Sequence, residues 1–463
     1  MKLPLTAVAG ALAAQARGVD ALPEFAAVCT DTRALRPGDL FVALRGERFD
    51  GHAFAAEALA RGACAVVVDD ASSLPADAPA LVVSDTLAAY QTLGALARAR
   101  LDARVVAITG SAGKTTTKEL TAQLLTAAGL GPVAATPANE NNEIGVPKLF
   151  LATAGDERAA VVEMGCRHYG DIAPLVALAL PDVAVLTNIG EAHLEIMGSR
   201  ERLAETKFGI FASGALPVLN LDDAVSHDRA GTLEREPVWF AARPHAGAVA
   251  HVSSTARALV LAGRDGLVLH ELGRTRRFPV TCALPGEHNL VNLAAALAAA
   301  WVLGADPAAL VAAIPNLYLP QGRYQRSRVG AFEVIYDAYN ASPAGVIATL
   351  ASFAAEGAAR KIVVLGSMAE LGPEAPQMHR RAGAAVAAVD AAAVLVGGDF
   401  ADDLAAGARS AGVAPERIVP FADNAVALEW LRANVRAGDV LLLKASRRYR
   451  LEEILIGLEA SRG

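Results

Sequence analysis

The chain has 463 residues, too long for one ordinary hydrophobic core and in keeping with about three domains. Hydrophobic residues make up 53% and charged residues 20%, so material for burial is ample and global disorder is excluded. The formal net charge is −7 with no dominant basic cluster, which argues against nucleic acid as a partner.

Residues 1–16 carry one lysine, an apolar middle and Ala-x-Ala triplets, the outline of a secretion signal. A single Lys2 is a weak leader, and the stretch reads better as a helix. Thr6 would be its N-cap, Val8 and Leu12 its buried stripe, and Gly18 its stop. No stretch reaches the roughly 18 apolar residues of a membrane span. Cys29, Cys64, Cys166 and Cys282 show no metal spacing and read as reduced thiols, so a cytoplasmic protein is expected.

Residues 1–100 alternate short strands (39–44, 63–68, 80–83) with helices (54–61, 87–101), a small α/β module. Residues 101–318 form a second block. Strands over 104–109, 159–163, 183–188 and 217–221 alternate with helices, which predicts a mainly parallel sheet covered on both faces. Short β-like runs within 249–282 predict an antiparallel insert, followed by an Ala-rich helix over 289–303. Residues 319–463 alternate again, with strands at 332–337, 361–366, 392–397, 417–420 and 439–444. That is a Rossmann-like, doubly wound unit without a dinucleotide fingerprint. The fold class is therefore α/β in three domains.

The most informative stretch is 105–119. The run Val105–Ile108 stops at Gly110, and Ser111, Ala112 and Gly113 lead into Lys114, Thr115 and Thr116 and then a helix-permissive run. Strand, glycine loop and helix make a phosphate cradle, here in a shortened Gly-x-x-Gly-Lys-Thr form. Lys114 would reach the outer phosphates of ATP and the Thr115 hydroxyl would ligate Mg²⁺. Glu163 ends an apolar strand beside this loop, where a Mg²⁺ ligand belongs.

Lined up along the chain, these pieces resemble the Mur ligase family, and within it the branch that adds D-alanyl-D-alanine. The resemblance runs the full length and rests on several motifs. Thr30-Asp31-Thr32-Arg33 and Phe49-Asp50-Gly51-His52 resemble the stretch that holds the uridine nucleotide sugar, implicating Thr32, Arg33, Asp50 and His52. Residues 136–147, with Asn139, Asn141 and Asn142, resemble the loop lining the UDP-linked peptide near the ATP site. His193 resembles the histidine near a second divalent ion, and Lys207 aligns with a lysine that the family carbamylates. Here Phe208-Gly209 follows Lys207, where the family has Gly-Glu. Asn292 would lie against adenine. Pro320-Gln321-Gly322-Arg323 resembles a hinge whose arginine approaches the γ-phosphate on closure. Asp337, Tyr339 and Asn340 would line the nucleotide, with Asp337 on the ribose. Ser367, Glu370, His379, Ser446 and Arg447 would face the incoming amine, although Ser367 and Ala445 depart from the usual residues. The Asp-Asn-Pro-Arg run of the diaminopimelate-adding branch is absent.

The resemblance implies a UDP-sugar domain over 1–100, an ATPase over 101–318 and an amine-holding ligase domain over 319–463. It also implies the reaction: ATP-driven joining of D-alanyl-D-alanine to UDP-N-acetylmuramoyl-tripeptide through an acyl phosphate. A monomer with two Mg²⁺ sites is expected. The competing readings are a ligase for another amino acid, including folate-type glutamate addition, and a nucleotide-gated binding protein without turnover. The first block, which folate-type relatives lack, argues against the folate reading.

Overall fold

The computed structural model describes residues 4–19, 24–46, 49–190, 194–242, 258–358 and 360–460. Three sheets follow one another along the chain. The first has strands β1 (Gln15–Arg17), β2 (Val28–Cys29), β3 (Leu40–Val42), β6 (Ala65–Val68) and β7 (Ala80–Val82), with β4 (Arg45–Gly46) and β5 (Phe49–Asp50) forming a separate small hairpin. Its order is β1-β7-β6-β3-β2, parallel except for β1. The first helix is shorter than expected, at Leu5–Ala11, and Pro4 occupies the N-cap position. Thr6 therefore lies inside the first turn, while Val8 is fully buried as expected.

The second sheet has strands β8 (Arg104–Thr109), β9 (Val133–Ala135), β10 (Ala159–Glu163), β11 (Val183–Leu186), β12 (Leu216–Asn220), β13 (Val238–Ala241), β14 (Ala258–Ala262), β15 (Gly266–Glu271) and β16 (Arg274–Pro279). Their order is β16-β15-β14-β13-β12-β11-β8-β10-β9. β8 through β14 are parallel, and β15 and β16 add antiparallel at one edge. The expected insert is therefore a continuation of the main sheet, because β14 finds β13 as a parallel partner. Its predicted first run, 251–253, lies outside the described residues. β8 sits at the point where the strand order reverses, with β10 and β11 on either side. In α/β sheets that is where a crevice opens at the carboxyl ends of the strands.

The third sheet has strands β17 (Gln325–Val329), β18 (Phe332–Tyr336), β19 (Arg360–Gly366), β20 (Ala393–Gly397), β21 (Ile418–Phe421) and β22 (Asp439–Lys444). The order is β17-β18-β22-β19-β20-β21, with only β17 antiparallel. Helices 343–354 and 375–385 cover one face, and helices 424–434 and 452–460 the other.

The first two modules share an interior. Leu40, Val42 and Val67 of the first sheet, Tyr90 and Leu93 of helix Thr86–Arg100, and Val146, Phe150 and Val162 of the second module belong to one apolar core. Gly94 lets that helix approach Pro147, since a Cβ at Gly94 would lie 2.6 Å from Pro147 Cβ. The third module has its own cores on the two faces of its sheet. Among the described residues, no helix is long and apolar enough to cross a membrane.

Candidate active site

At the end of β8 the chain turns through Gly110 (φ +152°) and Gly113 (φ +83°) into helix Lys114–Ala127. Both glycines are required. A Cβ at Gly110 would lie 1.8 Å from Thr187 Oγ1, and one at Gly113 would lie 2.3 Å from Asn292 Oδ1. The loop after β11 braces the turn. Asn188 O accepts from Ser111 N at 2.9 Å, and Asn188 Oδ1 accepts from Ala112 N at 3.0 Å. Asn188 Nδ2 and Thr187 Oγ1 both donate to Ala112 O, at 3.1 and 2.6 Å. Ser111 Oγ accepts from Gly190 N at 2.9 Å. The helix has no side-chain N-cap, and Thr115 and Thr116 are buried in its first turn. Its first amides thus meet no capping side chain, an arrangement suited to an anion.

Two lysines converge on one carbonyl. Lys114 Nζ donates to Gly110 O at 2.8 Å, and Lys207 Nζ donates to the same oxygen at 3.1 Å. Lys207 also lies 3.5 Å from Cys166 Sγ. Burial and the neighbouring Lys207 bring Lys114 down to about 8, against the pull of Glu163. Burial also lowers Lys207. A bound polyphosphate would relieve this crowding of positive charge.

Glu163 is buried at the end of β10, paired in register with Ile108 of β8. Its Oε1 accepts from Asn141 Nδ2 at 2.7 Å, while its buried Oε2 has no partner. A buried carboxylate oxygen left unanswered beside a phosphate loop fits a divalent cation. Among the described residues no three His, Cys, Asp or Glu side chains cluster as a ready-made metal site. His193 lies outside the described residues.

The Asn loop is tied to β10 and to its own backbone. Asn141 turns to Glu163, and Asn142 Oδ1 accepts from Gly145 N at 3.0 Å and Ile144 N at 3.3 Å at the start of helix Gly145–Leu151. Asn139 and Asn142 are both exposed, and the Asn139 carbonyl accepts from Asn141 N at 2.8 Å. In the first module, Asp50 Oδ1 accepts from His52 N and pairs with His52 Nδ1 at 2.7 Å. His52 Nε2 reaches Asp69, which also pairs with Arg45. Thr32 is buried, and its carbonyl accepts from Arg61 at 2.6 Å. Arg33, with its side chain 87% exposed, pairs with Asp31.

From the third module, Arg323 brings a guanidinium 4.5 Å from the Tyr339 ring centroid, and Arg447 lies 5.2 Å from the same ring. Arg323 Nε is buried with no partner. Asn340 Oδ1 folds back onto Ala341 N at 2.8 Å. Asp337 is committed inward: Oδ1 accepts from Tyr324 N at 3.1 Å, and Oδ2 accepts from Thr349 Oγ1 at 2.6 Å and Lys444 Nζ at 2.8 Å. Burial alone would raise its pKa, but Lys444 and His288 bring the carboxyl below the usual value. Both oxygens of Asp337, expected on the ribose, thus hold internal donors. Asn292 is nearly buried between Gly113 and Asn289, its Nδ2 donating to Asn289 Oδ1 at 3.1 Å.

The residues expected to face the amine are held largely by internal bonds. His379 is fully buried: Nε2 accepts from Met368 N at 2.7 Å, Nδ1 donates to Ala375 O at 2.6 Å, and the ring stacks on Phe400 at 4.4 Å. Ser367 is also fully buried, its hydroxyl donating to Gly397 O and accepting from Phe400 N. Ser446 Oγ accepts from Ala369 N at 3.0 Å. These three residues tie loops together and present no free polar atom here. Glu370 (φ +63°) and the exposed Arg447 stand on the loops so held.

With this geometry in view, comparison with known proteins is direct. Three family models match: "Mur ligase family, catalytic domain" over residues 24–101, "Mur ligase middle domain" over 108–300, and "Mur ligase, glutamate ligase domain" over 322–447. The UDP-N-acetylmuramoyl-tripeptide–D-alanyl-D-alanine ligase of Synechocystis sp. is 38% identical over 427 residues, 90% of this chain and 88% of the relative. The chain belongs to the Mur ligase family. Among solved structures, MurF from Acinetobacter baumannii superposes with a TM-score of 0.86 at 26% identity, covering 99% of each chain. MurF from Thermotoga maritima in complex with ADP gives 0.78 at 28% identity, covering 94% of this chain and 97% of that one.

Several residues of this Mur ligase that shape the site escape sequence reasoning. Lys118 is fully buried one turn beyond Lys114. His288, from the second module, meets Ser352 Oγ at 3.2 Å and Tyr324 edge-on at 5.6 Å, both in the third module. Lys444 holds Asp337. The only available signal was position: a lysine inside a helix, or at the end of an apolar strand, where burial demands a partner.

Proposed function

We propose that this Mur ligase joins D-alanyl-D-alanine to UDP-N-acetylmuramoyl-tripeptide with ATP, a step of peptidoglycan precursor synthesis. The observation that carries the proposal is the uncapped P-loop helix beside a buried glutamate with one free oxygen and two crowded lysines. The likeness to a relative of that printed activity supports the choice of substrates. The ADP complex of a MurF supports ATP as the nucleotide.

An amide does not form spontaneously from a carboxylate and an amine in water. The terminal carboxylate of the tripeptide attacks the γ-phosphorus of ATP, the bond to the β-phosphate oxygen breaks, and ADP leaves. Gly110 to Thr116 cradle the phosphates, and Lys114 and Arg323 draw off charge as it develops. The amine of the dipeptide then attacks the acyl carbon, phosphate leaves, and the amine proton is released. Thr115 and Glu163 would hold Mg²⁺, which when bound neutralises phosphate charge. His193 and a carbamate on Lys207 would serve a second ion. A neutral amine is the form that takes up carbon dioxide, and burial favours that form of Lys207. Asn292, Tyr339 and Asn340 would border the nucleotide.

Residues 1–100 would hold the uridine diphosphate sugar, with Thr32, Arg33, Asp50 and His52 at its edge. Residues 101–318 would hold ATP, and residues 319–463 the amine. The enzyme would act as a monomer in the cytoplasm. The test is release of ADP and phosphate with purified protein: turnover must require both UDP-N-acetylmuramoyl-tripeptide and D-alanyl-D-alanine. ATP binding without amine-dependent product would refute the proposal.

A further inference from the structure

Asn141 approaches the phosphate side of the site and turns its amide to Glu163. Its Nδ2 donates to Glu163 Oε1 at 2.7 Å, and Gly165 N donates to Asn141 O at 2.7 Å. A Cβ at position 165 would sit 2.4 Å from Asn141 Oδ1, so glycine there gives the amide its room. A carboxylate with one oxygen fixed has its second oxygen fixed as well, and Oε2 is the buried atom without a partner. The main chain of Glu163 is held from the same loop, since Glu163 N donates to Thr136 Oγ1 at 2.9 Å.

That loop is in turn held by Lys118. Its Nζ donates to Thr136 O at 2.6 Å and Ala138 O at 2.9 Å, and it pairs with Glu119 at 2.8 Å. Ala138 has a left-handed φ of +45°, a conformation that needs outside support in a non-glycine residue. Three donors thus meet three acceptors with no exposure of the side chain. An apolar side chain would fill the space but leave both carbonyls unanswered. Lys114 and Lys118 are four apart on one helix, so a single element fixes both the phosphate cation and the brace of the carboxylate.

We propose that Lys118 and Asn141 are positioning residues that aim the free oxygen of Glu163 at the divalent cation of the bound triphosphate. The inference rests on the reading of Glu163 as a cation ligand. It reassigns Asn141 from the UDP-linked substrate to the cation.

The test measures Mn²⁺ binding to the full chain by electron paramagnetic resonance, with a non-hydrolysable ATP analogue present. Affinity for UDP-N-acetylmuramoyl-tripeptide is measured separately by calorimetry, without nucleotide or metal. Asn141→Ala should weaken Mn²⁺ binding about 10–100-fold and leave the affinity for the UDP-linked substrate unchanged. Lys118→Met should do the same, and the double variant should lose little more than the worse single one, because both act through Glu163. If Lys118→Met does not fold, Asn141→Ala carries the test alone. Wild-type Mn²⁺ affinity in Asn141→Ala overturns the inference, whatever happens to substrate binding. Glu163→Gln separates the two levels: if it too leaves Mn²⁺ binding intact, the reading of Glu163 as a ligand falls, and the inference with it.

Discussion

At the scale of single residues, the site is organised around Gly110 O, which accepts from both Lys114 and Lys207. Lys114→Ala should lower ATP-dependent ligation by about 10²–10⁴ in kcat, as for loss of one charge-stabilising donor. A steady-state assay at saturating substrates checks this. The pKa of Lys114, near 8, adds a second prediction. Above that pH the free enzyme holds a neutral amine, and phosphate charge restores the proton on binding. ATP binding at pH 9 should therefore take up a proton, and binding at pH 6.5 should not, because the lysine is already charged there. Calorimetry in two buffers of different ionisation heat would read the uptake. The phosphate loop was legible in sequence because glycine, lysine and threonine at fixed spacing have few other uses. The internal partners of Asn141 and Asp337 were not legible, for the opposite reason. Polar residues next to a site look alike in sequence whether they face a ligand or a neighbouring side chain, and only the fold shows that Lys444 and Glu163 have claimed them.

At the scale of elements, turns and loops are fixed by close approach. Gly113 faces Asn292 and has a left-handed φ. Gly113→Ala should destabilise the protein by about 1–3 kcal/mol, as strain in the turn, and should abolish ATP binding. Urea unfolding and nucleotide titration would show the two effects together. His379 makes a different case, since both ring nitrogens serve the backbone of the loop around Met368 and Ala375. His379→Gln should lower stability by about 1–3 kcal/mol, from buried groups left unpaired. A stable variant with only a raised KM for the dipeptide would place the ring on the amine instead. The strands Arg104–Thr109, Ala159–Glu163 and Asp439–Lys444 lie where the apolar runs placed them, to the residue. Val133–Ala135 and Val238–Ala241 were not anticipated. Runs of three or four residues carry no period, and only pairing with β10 and β12 makes them strands.

At the scale of the whole molecule, the second and third modules meet where Glu287 N donates to Ser352 Oγ at 3.1 Å and His288 meets Ser352 and Tyr324. Just before the third module, Gln123 exchanges two hydrogen bonds with the main chain of Tyr318, at 3.0 and 3.1 Å. Tyr324 itself is fully buried with a left-handed φ of +51°. Adding ATP analogue and UDP-linked substrate together should compact the chain, seen as a smaller radius of gyration in small-angle scattering. Arg323→Ala should weaken that response, because its unpartnered Nε would no longer meet the phosphates. The division into three α/β blocks was readable from alternation of strand and helix. The merging of the first two blocks was not, because it depends on Gly94 against Pro147, a contact between residues far apart in sequence.

That merged interior has a consequence for how such a chain diversifies. The first and second modules cannot shift independently without opening a common apolar filling. The third module has fillings of its own on the two faces of its sheet. On the proposed assignment of the acid and ATP to the first pair and the amine to the third, selection can retune which nucleophile is accepted while leaving that common filling intact.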